Sequence, residues 1–548
     1  MHARDRLATI AVVDRIADIL RMEFGSDAQT IWPVLAALLK DHLRDRPVTI
    51  TALADLSGLP RTTARRVVFA LKAQGWLEFR AVSGSGSRAV IVPSASLLDR
   101  LDAITEQTVR MIVGASGADS FDRFDAASLA RDTGVPWPHP ATAGFDDSVE
   151  LTLVAYEDPV FDILKRNRTD IERFVGHRVH ILTFPQDAFR SALDRALTDA
   201  AALGGDAPLL VAVPFPWLAA LCEDGHVLEL QALQAAGNFS GADFYDAVWD
   251  AGWFDKQLYA IPIQPTVEFL WYRQDLFEQE GLNPPQTFDD VLRCAALLQR
   301  LTKDRAGITW SAAPGLPIAE TFLQILGAQG GVAFDDGVLQ VDTDAGRCVI
   351  DYLRAMIPWS PPHVRGFDWQ RNAQTFGSGK AAMCYHWSNR YGMLDSHALL
   401  QKGGRIGIQL HPTFAPEIAP LSPLGGALLA IPSRNDPRAA RRAWHAIETL
   451  TSPELMKYFV LHGAAGSARH SVAEDSYVVQ RNRVIAEIDR LAKGGRIRAF
   501  PSPAVPDYHG LVQTLSDHLH PLLFDESGDA RSALGKLQAA LARERRKH

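Results

Sequence analysis

The sequence predicts an α/β body in two lobes, preceded by a small α+β head. Three observations predict it. From residue 149 onward short apolar strands alternate with helical patterns, which implies a mainly parallel sheet. The run LYAIPIQPTVEFLWYRQDLF, Leu258 to Phe277, holds two extended apolar passages and so crosses between two sheets. Residues 51–92 pattern as helix, tight turn, helix and hairpin.

A chain of 548 residues exceeds one typical core, so two or three domains are expected. With 47% hydrophobic and 22% charged residues, its composition is that of an ordinary globular protein. The net charge of −8 argues against a chain that coats nucleic acid along its whole length. Residues 1–113 carry 15 Lys and Arg against 12 Asp and Glu, which leaves −11 on the remainder. A basic head on an acidic body points to a polyanion as the head's partner. The four cysteines have no metal-ligand spacing and read as free thiols. Asp14, Arg15 and Asp18 break the first apolar stretch, Leu7 to Leu20, at helical spacing. That is an amphipathic helix rather than a signal-peptide core. No run reaches the roughly 20 apolar residues of a spanning helix. The expected location is therefore the cytoplasm, with no membrane partner.

The head begins with helical patterns at about Leu7–Phe24 and Thr30–Leu43. Thr51 is the expected cap of a short helix, Ala52–Leu56. Ser57-Gly58-Leu59 turns the chain, and Pro60 starts a second helix, Arg61–Gln74. Ala64, Val67, Val68 and Leu71 share one face of it. Leu77–Val82 and Ala89–Val92 then form a hairpin, with Ser83 to Ser87 as its tip. This is a helix-turn-helix with a wing. The stretch LADLSGLPRTTARRVVFALKAQGWLEF resembles the winged-helix domains of IclR- and MarR-type bacterial regulators. The resemblance implies binding to a double-stranded DNA operator, with Arg61, Thr62, Thr63, Arg65 and Arg66 as groove candidates. Arg88 is the wing's candidate for phosphate or the minor groove. Arginine is bidentate to guanine, and threonine reaches bases or phosphates. Arginines that merely solvate the helix, or a winged helix used for protein contacts, remain the alternatives. The head is expected to span residues 1–93. A linker helix, Ser96–Val113, and a Gly-, Asp- and Pro-rich connector complete 94–148. The helix either pairs two subunits, giving a homodimer, or packs on its own domain.

The body, 149–548, opens with strand Glu150–Tyr156, helix Phe161–Val175, strand Val179–Leu182, helix Phe189–Leu203 and strand Pro208–Val213. In the crossover run, Pro262 and Pro265 argue for strand, kink and second strand. This run resembles the first interlobe crossover of the family 1 extracellular solute-binding proteins, the sugar-binding components of ABC importers. Further landmarks follow in the family's order: Gly281 to Asp290, with Thr287 or Asp289 capping a helix; Phe376 to Met383; Tyr385 to Asn389; Ser422 to Ile431; and Thr451 to Glu454. The resemblance covers about 149–545. It implies an α/β, two-lobed, type II periplasmic-binding-protein-like domain. Lobe I is expected at about 149–263 and 427–480, lobe II at about 268–424, and C-terminal helices at 481–548. Ala427 stands where the family usually has an aromatic residue, which removes one stacking surface and widens the pocket.

A sugar offers apolar faces and a rim of hydroxyls, so aromatic platforms and polar partners together suit it. The resemblance implies Tyr156, Phe215, Trp217, Trp387 and Tyr391 as platforms. Glu157, Asp158, Gln264, Glu268 and Asn389 are the hydrogen-bonding candidates, and Arg469 a lesser one. Gly425 and Gly426 line the return crossover. For each aromatic, core packing is the alternative; for the carboxylates it is a helix cap or surface pair. Gly377-Ser378-Gly379-Lys380 is not a phosphate loop, because Gln374 and Ala381 break the pattern. No HExxH and no dinucleotide fingerprint is present, so no metal or cofactor is expected. Glu157 and Asp158 are adjacent, which does not suit a glycosidase pair. A non-enzymatic, ligand-responsive transcription regulator is the expected function. A solute-binding component of an uptake system, or a cytoplasmic solute binder whose head makes protein contacts, is the alternative.

Overall fold

The computed structural model describes residues 28–42, 48–57, 59, 61–81, 89–98, 100, 146–199, 208–237, 239–301, 304–330, 333–395, 399, 403–475, 478–479, 482–500, 505, 507–525 and 529–545. The chain divides into two compact units, 1–137 and 138–548. The expected helix at Leu7–Phe24, most of the linker helix, the connector up to residue 145 and the wing tip with Arg88 lie outside the described residues.

In the first unit, helices Ala28–His42, Ile50–Leu56 and Arg61–Ala73 pack around Val34, Leu35, Leu38, Leu53, Val68 and Leu71. The short helix starts earlier than expected. Thr49, not Thr51, is its cap and accepts the Ala52 N–H at 3.3 Å. Gly75 closes the third helix at φ +76°, a conformation open to glycine at little cost. Leu77–Ala81 and Ala89–Pro93 then pair antiparallel, and Val48 bridges to Ile91, so the wing is anchored on the helices.

In the second unit, the opening strand Asp146–Tyr156 lies between parallel neighbours His177–Phe184 and Leu209–Pro214. The expected helix Phe161–Val175 is two, Pro159–Arg166 and Arg168–Val175. Asn167 separates them: its backbone leaves the helical region at φ −106°, ψ 23°, while its backbone and side-chain N–H groups both donate to the Ile163 carbonyl, at 3.0 and 2.9 Å. The return strand Ser422–Ala430 pairs antiparallel with Leu209–Pro214 on one side and with the crossover strand Ala260–Arg273 on the other. The far half of the crossover strand pairs with Ala381–Trp387 and Ile406–Gln409. Ala306–Thr309 extends the sheet beyond Ala381–Trp387.

The expected kink is absent: Ala260–Arg273 is one strand of 14 residues. Pro262 and Pro265 are tolerated for two reasons. They fall where the strand ladders to Ser422–Ala430 alone, and the register shifts beside Pro262, where Gln264 faces Ala427 and Pro262 faces Leu428. A one-sided ladder and a bulge are the two settings that accept proline.

Buried apolar side chains form two clusters in this unit, the mark of two lobes. One is built on Leu151, Leu153, Val211 and Val213, the other on Phe288, Trp310, Phe322 and Leu353. The crossover strand serves both, placing Phe269 and Trp271 in the first and Leu270 in the second. Helices Tyr508–Phe524 and Ala530–Arg545 bury Leu515, Leu519 and Leu534 in the second cluster. Helix Arg483–Lys493 belongs to the first. Thr287 caps helix Phe288–Arg300 in a reciprocal box with Asp290. Ser452 caps Pro453–Leu461.

Candidate functional site

A cavity of about 520 Å³ opens at the strand ends. Tyr156, Glu157 and Asp158 leave the opening strand for it, and Pro216 and Trp217 follow the strand Leu209–Pro214. Trp387, Asn389 and Arg390 come from the end of Ala381–Trp387. Gln264, Thr266 and Leu424 to Ala427 come from the middles of the two strands that join the lobes. Carboxyl ends of parallel strands are where α/β sheets hold ligands. A larger hollow of about 860 Å³ on the second lobe, walled by Pro358, Pro361, Pro362 and Arg365, lies elsewhere and contains none of the expected residues.

The cavity's polar groups are incompletely satisfied. Gln264 is 2% exposed, yet neither its Oε1 nor its Nε2 has a protein partner. A buried amide left unpaired costs about 1–3 kcal/mol, so it is set for a polar group that enters the cavity. The Asn389 side-chain N–H donates to Asp158 Oδ2 at 2.7 Å across the cleft, and its Oδ1 is unpartnered. Asp158 also caps helix Pro159–Arg166, accepting the Val160 N–H at 3.1 Å. Burial raises the Asp158 carboxyl above its ordinary range, and these hydrogen bonds pull partly the other way. The Asn389 backbone N–H donates to Thr266 Oγ1 at 3.2 Å, and Ser388 Oγ accepts the Val267 N–H at 3.0 Å. The turn 388–390 is thereby fixed to the crossover strand. Burial lowers the His386 imidazole, and its Nε2 lies 2.8 Å from the Trp369 carbonyl, holding that wall in place.

The aromatic walls are braced from behind. Tyr156 meets Phe161 and Phe189 edge-on at 5.5 and 5.3 Å. Trp217 stacks on Phe189 at 5.7 Å. Trp387 lies over Gly425, where an added Cβ would sit 3.3 Å from its ring. Gly426 has φ +145°, and a Cβ there would fall 2.2 Å from the Gln264 carbonyl oxygen, so only glycine fits.

Of the residues expected from sequence, Tyr156, Glu157, Asp158, Trp217, Gln264, Trp387, Asn389, Gly425 and Gly426 line the cavity. Phe215, Glu268 and Tyr391 are not among the lining residues. Phe215 is a core side chain, its ring 3.0 Å from where a Cβ on Gly426 would lie. Glu268 is buried with its Oε2 3.2 Å from His411 Nε2. Tyr391 donates its hydroxyl to Asp395 at 2.9 Å and stacks on Trp271. Arg469 is likewise structural: it donates to the Thr451 carbonyl at 2.6 Å, pairs with Asp243, and lies 4.1 Å from the Phe244 ring.

Other lining residues were not foreseen. Glu320 and Gln324 stand four apart on helix Leu316–Ala328. Two long polar side chains on one face of a helix whose buried residues are mostly apolar were a legible signal. Trp369, Phe500 and Tyr508 come from distant segments and carried no local mark. Burial pushes the Glu320 carboxyl up to about 8; the charge of Glu268 adds to this, and the Tyr508 hydroxyl works against it.

The first unit presents a separate surface. On helix Arg61–Ala73, Thr62, Arg65 and Arg66 are exposed and Thr63 partly so, while Ala64, Val67, Val68 and Leu71 are buried. The Arg65 guanidinium lies 5.7 Å from the exposed Phe69 ring, and the Lys72 ammonium 4.1 Å from Phe79. The helix thus turns an arginine- and threonine-bearing face to solvent, the residue types that read a major groove.

Comparison with known proteins covers both units. The family model "IclR helix-turn-helix domain" matches residues 42–81, and "Bacterial extracellular solute-binding protein" matches 193–457. A solute-binding protein of Agrobacterium radiobacter in complex with ribitol is 21% identical, with a TM-score of 0.66 over 73% of this chain and 99% of that one. A maltose-bound T. maritima protein is 19% identical, with a TM-score of 0.63 over 72% of this chain and 100% of that one. Among curated proteins, the mannitol-binding protein of Pseudomonas aeruginosa is 27% identical over 131 residues, 23% of this chain and 30% of that protein. An uncharacterized ABC transporter extracellular-binding protein of Pyrococcus horikoshii is 21% identical over 162 residues, 29% of this chain. The chain spans about a third of the length of these curated relatives. Among the described residues no helix is long and apolar enough to cross a membrane. The chain therefore joins a helix-turn-helix domain of the IclR type to a two-lobed α/β domain of the bacterial extracellular solute-binding type.

Proposed function

We propose that this protein is a cytoplasmic, DNA-binding transcription regulator that senses a small polyhydroxylated solute in the cleft of its second unit. The observation that carries the reading is the buried, unpartnered Gln264 amide among aromatic walls, in a chain that also bears an IclR-type helix-turn-helix. Ribitol and maltose occupy the structural neighbours named above, and mannitol is the ligand of a curated relative. Those names support a sugar or polyol here. Glu157, Gln264 and Asn389 would take hydroxyls, and Trp217 and Trp387 would cover the apolar faces. Arg61, Thr62, Thr63, Arg65, Arg66 and Arg88 are the proposed DNA contacts.

Solute would favour the closed arrangement of the lobes about the strands at Gln264–Glu268 and Pro423–Gly426, which the Asp158–Asn389 hydrogen bond already spans. In a homodimer, closure would change the fit of two heads to spaced half-sites. The solute shifts that equilibrium only as far as it binds one state better than the other. The curated relative from Pyrococcus horikoshii is named as an ABC transporter extracellular-binding protein, which favours a second reading: solute delivery, with the head used for protein contacts. Mobility shifts of genomic DNA fragments by the purified full chain separate the two. Retained fragments support the regulator. A protein that binds solute yet retains no DNA supports the second reading.

A further inference from the structure

We propose that the solute carries a basic nitrogen, as in an amino sugar or amino polyol, and that Glu320 is its counter-ion within the aromatic walls. This rests on the reading of the cleft as a solute site and names its substrate class. The lining holds four carboxyl groups, Glu157, Asp158, Glu320 and Asp368, against a single guanidinium, Arg390. Two of the four already serve the fold. Asp158 caps a helix and takes Asn389, and Asp368 accepts the Arg371 N–H at 2.7 Å.

Glu320 is different. Among the described residues no ion pair includes it, and the groups that face it are Glu268, Tyr508 and Tyr156, none of them cationic. Glu268 Oε2 lies 3.2 Å from His411 Nε2. Desolvation without a compensating cation holds the Glu320 carboxyl near 8, and an ammonium group would supply the missing charge. The second observation is independent of the acids. The 98%-buried Gln264 offers both an unpaired N–H and an unpaired oxygen to the same cavity, so the space is built for a polar occupant. Trp369 and Trp387 add aromatic walls, and an aromatic face attracts a cation more strongly once water has left; Trp217 already has the Arg190 guanidinium over its ring at 5.6 Å.

The test pairs neutral compounds with their amines: D-glucose with D-glucosamine, and D-sorbitol with 1-amino-1-deoxy-D-sorbitol, each titrated calorimetrically into the full chain. At neutral pH the amine of at least one pair is expected to bind at least about tenfold more tightly than its neutral partner. Glu320→Gln, of nearly equal size, should bring that ratio close to one, and Glu320→Asp should restore part of it. Equal or tighter binding of the neutral partners overturns the inference and leaves the solute-sensor reading standing, as does a ratio untouched by Glu320→Gln. No binding by any of the four compounds overturns both.

Discussion

Glu320 gives the account a second, ligand-free handle, because a buried carboxyl without a cation couples folding to pH. Its ordinary value lies near 4.5 and its value in the fold near 8. Below both, folded and unfolded chains alike hold the proton, and the stability is intact. Between them the native body keeps a proton that the unfolded chain has released. Stability then falls as pH rises, by about 1.4 kcal/mol per pH unit. The whole window would amount to ~5 kcal/mol. Glu320 remains partly exposed on the cavity wall, and water there brings the expected loss to ~2 kcal/mol. Asp158 is also raised and shifts stability in the same sense, but it is common to wild type and variant and cancels in their comparison. Calorimetric melts of the full chain at pH 6 and pH 9, which span a little over half of that window, should show the second unit of the wild type losing ~1–2 °C more than that of Glu320→Gln. Parallel losses in the two proteins, or a wild type that gains stability toward pH 9, would refute the assignment of an uncompensated buried carboxyl.

Three further substitutions probe other parts of the structure. Gly426→Ala drives a methyl group onto the Gln264 carbonyl at 2.2 Å and should cost about 2–4 kcal/mol, read as a lower melting temperature of the second unit. Gln264→Leu removes an unpaired buried amide, so it should leave stability unchanged or raise it by ~1 kcal/mol while weakening solute binding roughly tenfold or more; thermal melts and calorimetric titration read the two effects. Replacing Arg65 and Arg66 together by Ala should weaken DNA binding and reduce the slope of log affinity against log salt by about 1–2, measured by fluorescence anisotropy.

Much of the fold was legible because periodicity reports backbone geometry directly. The short apolar run in Glu150–Tyr156 and the apolar face Ala64–Leu71 pointed to a strand and a helix whatever packs on them. Composite effects were less legible. Pro262 and Pro265 signal a break only if both edges of the strand are paired, and the pairing partner lies more than 150 residues away in Ser422–Ala430. Asn167 divides a helix at a single non-helical backbone position, which apolar periodicity does not register. For the cleft, sequence located the strand ends but not the side-chain directions. Phe215 and Trp217 are two residues apart, yet one is core and the other wall. Glu268 and Gln264 sit on one strand, and His411 from another segment engages the first. Glu320 and Tyr508 meet only because helix Tyr508–Phe524 returns to the second lobe's core, a contact between segments almost 190 residues apart.

The most direct measurement is the affinity of the full-length chain for an operator fragment, titrated with a cleft-binding sugar, polyol or amino derivative. The regulator account predicts a solute-dependent change of at least about fivefold in DNA affinity, abolished by Trp387→Ala together with solute binding. An operator affinity that stays constant while the cleft fills would contradict it.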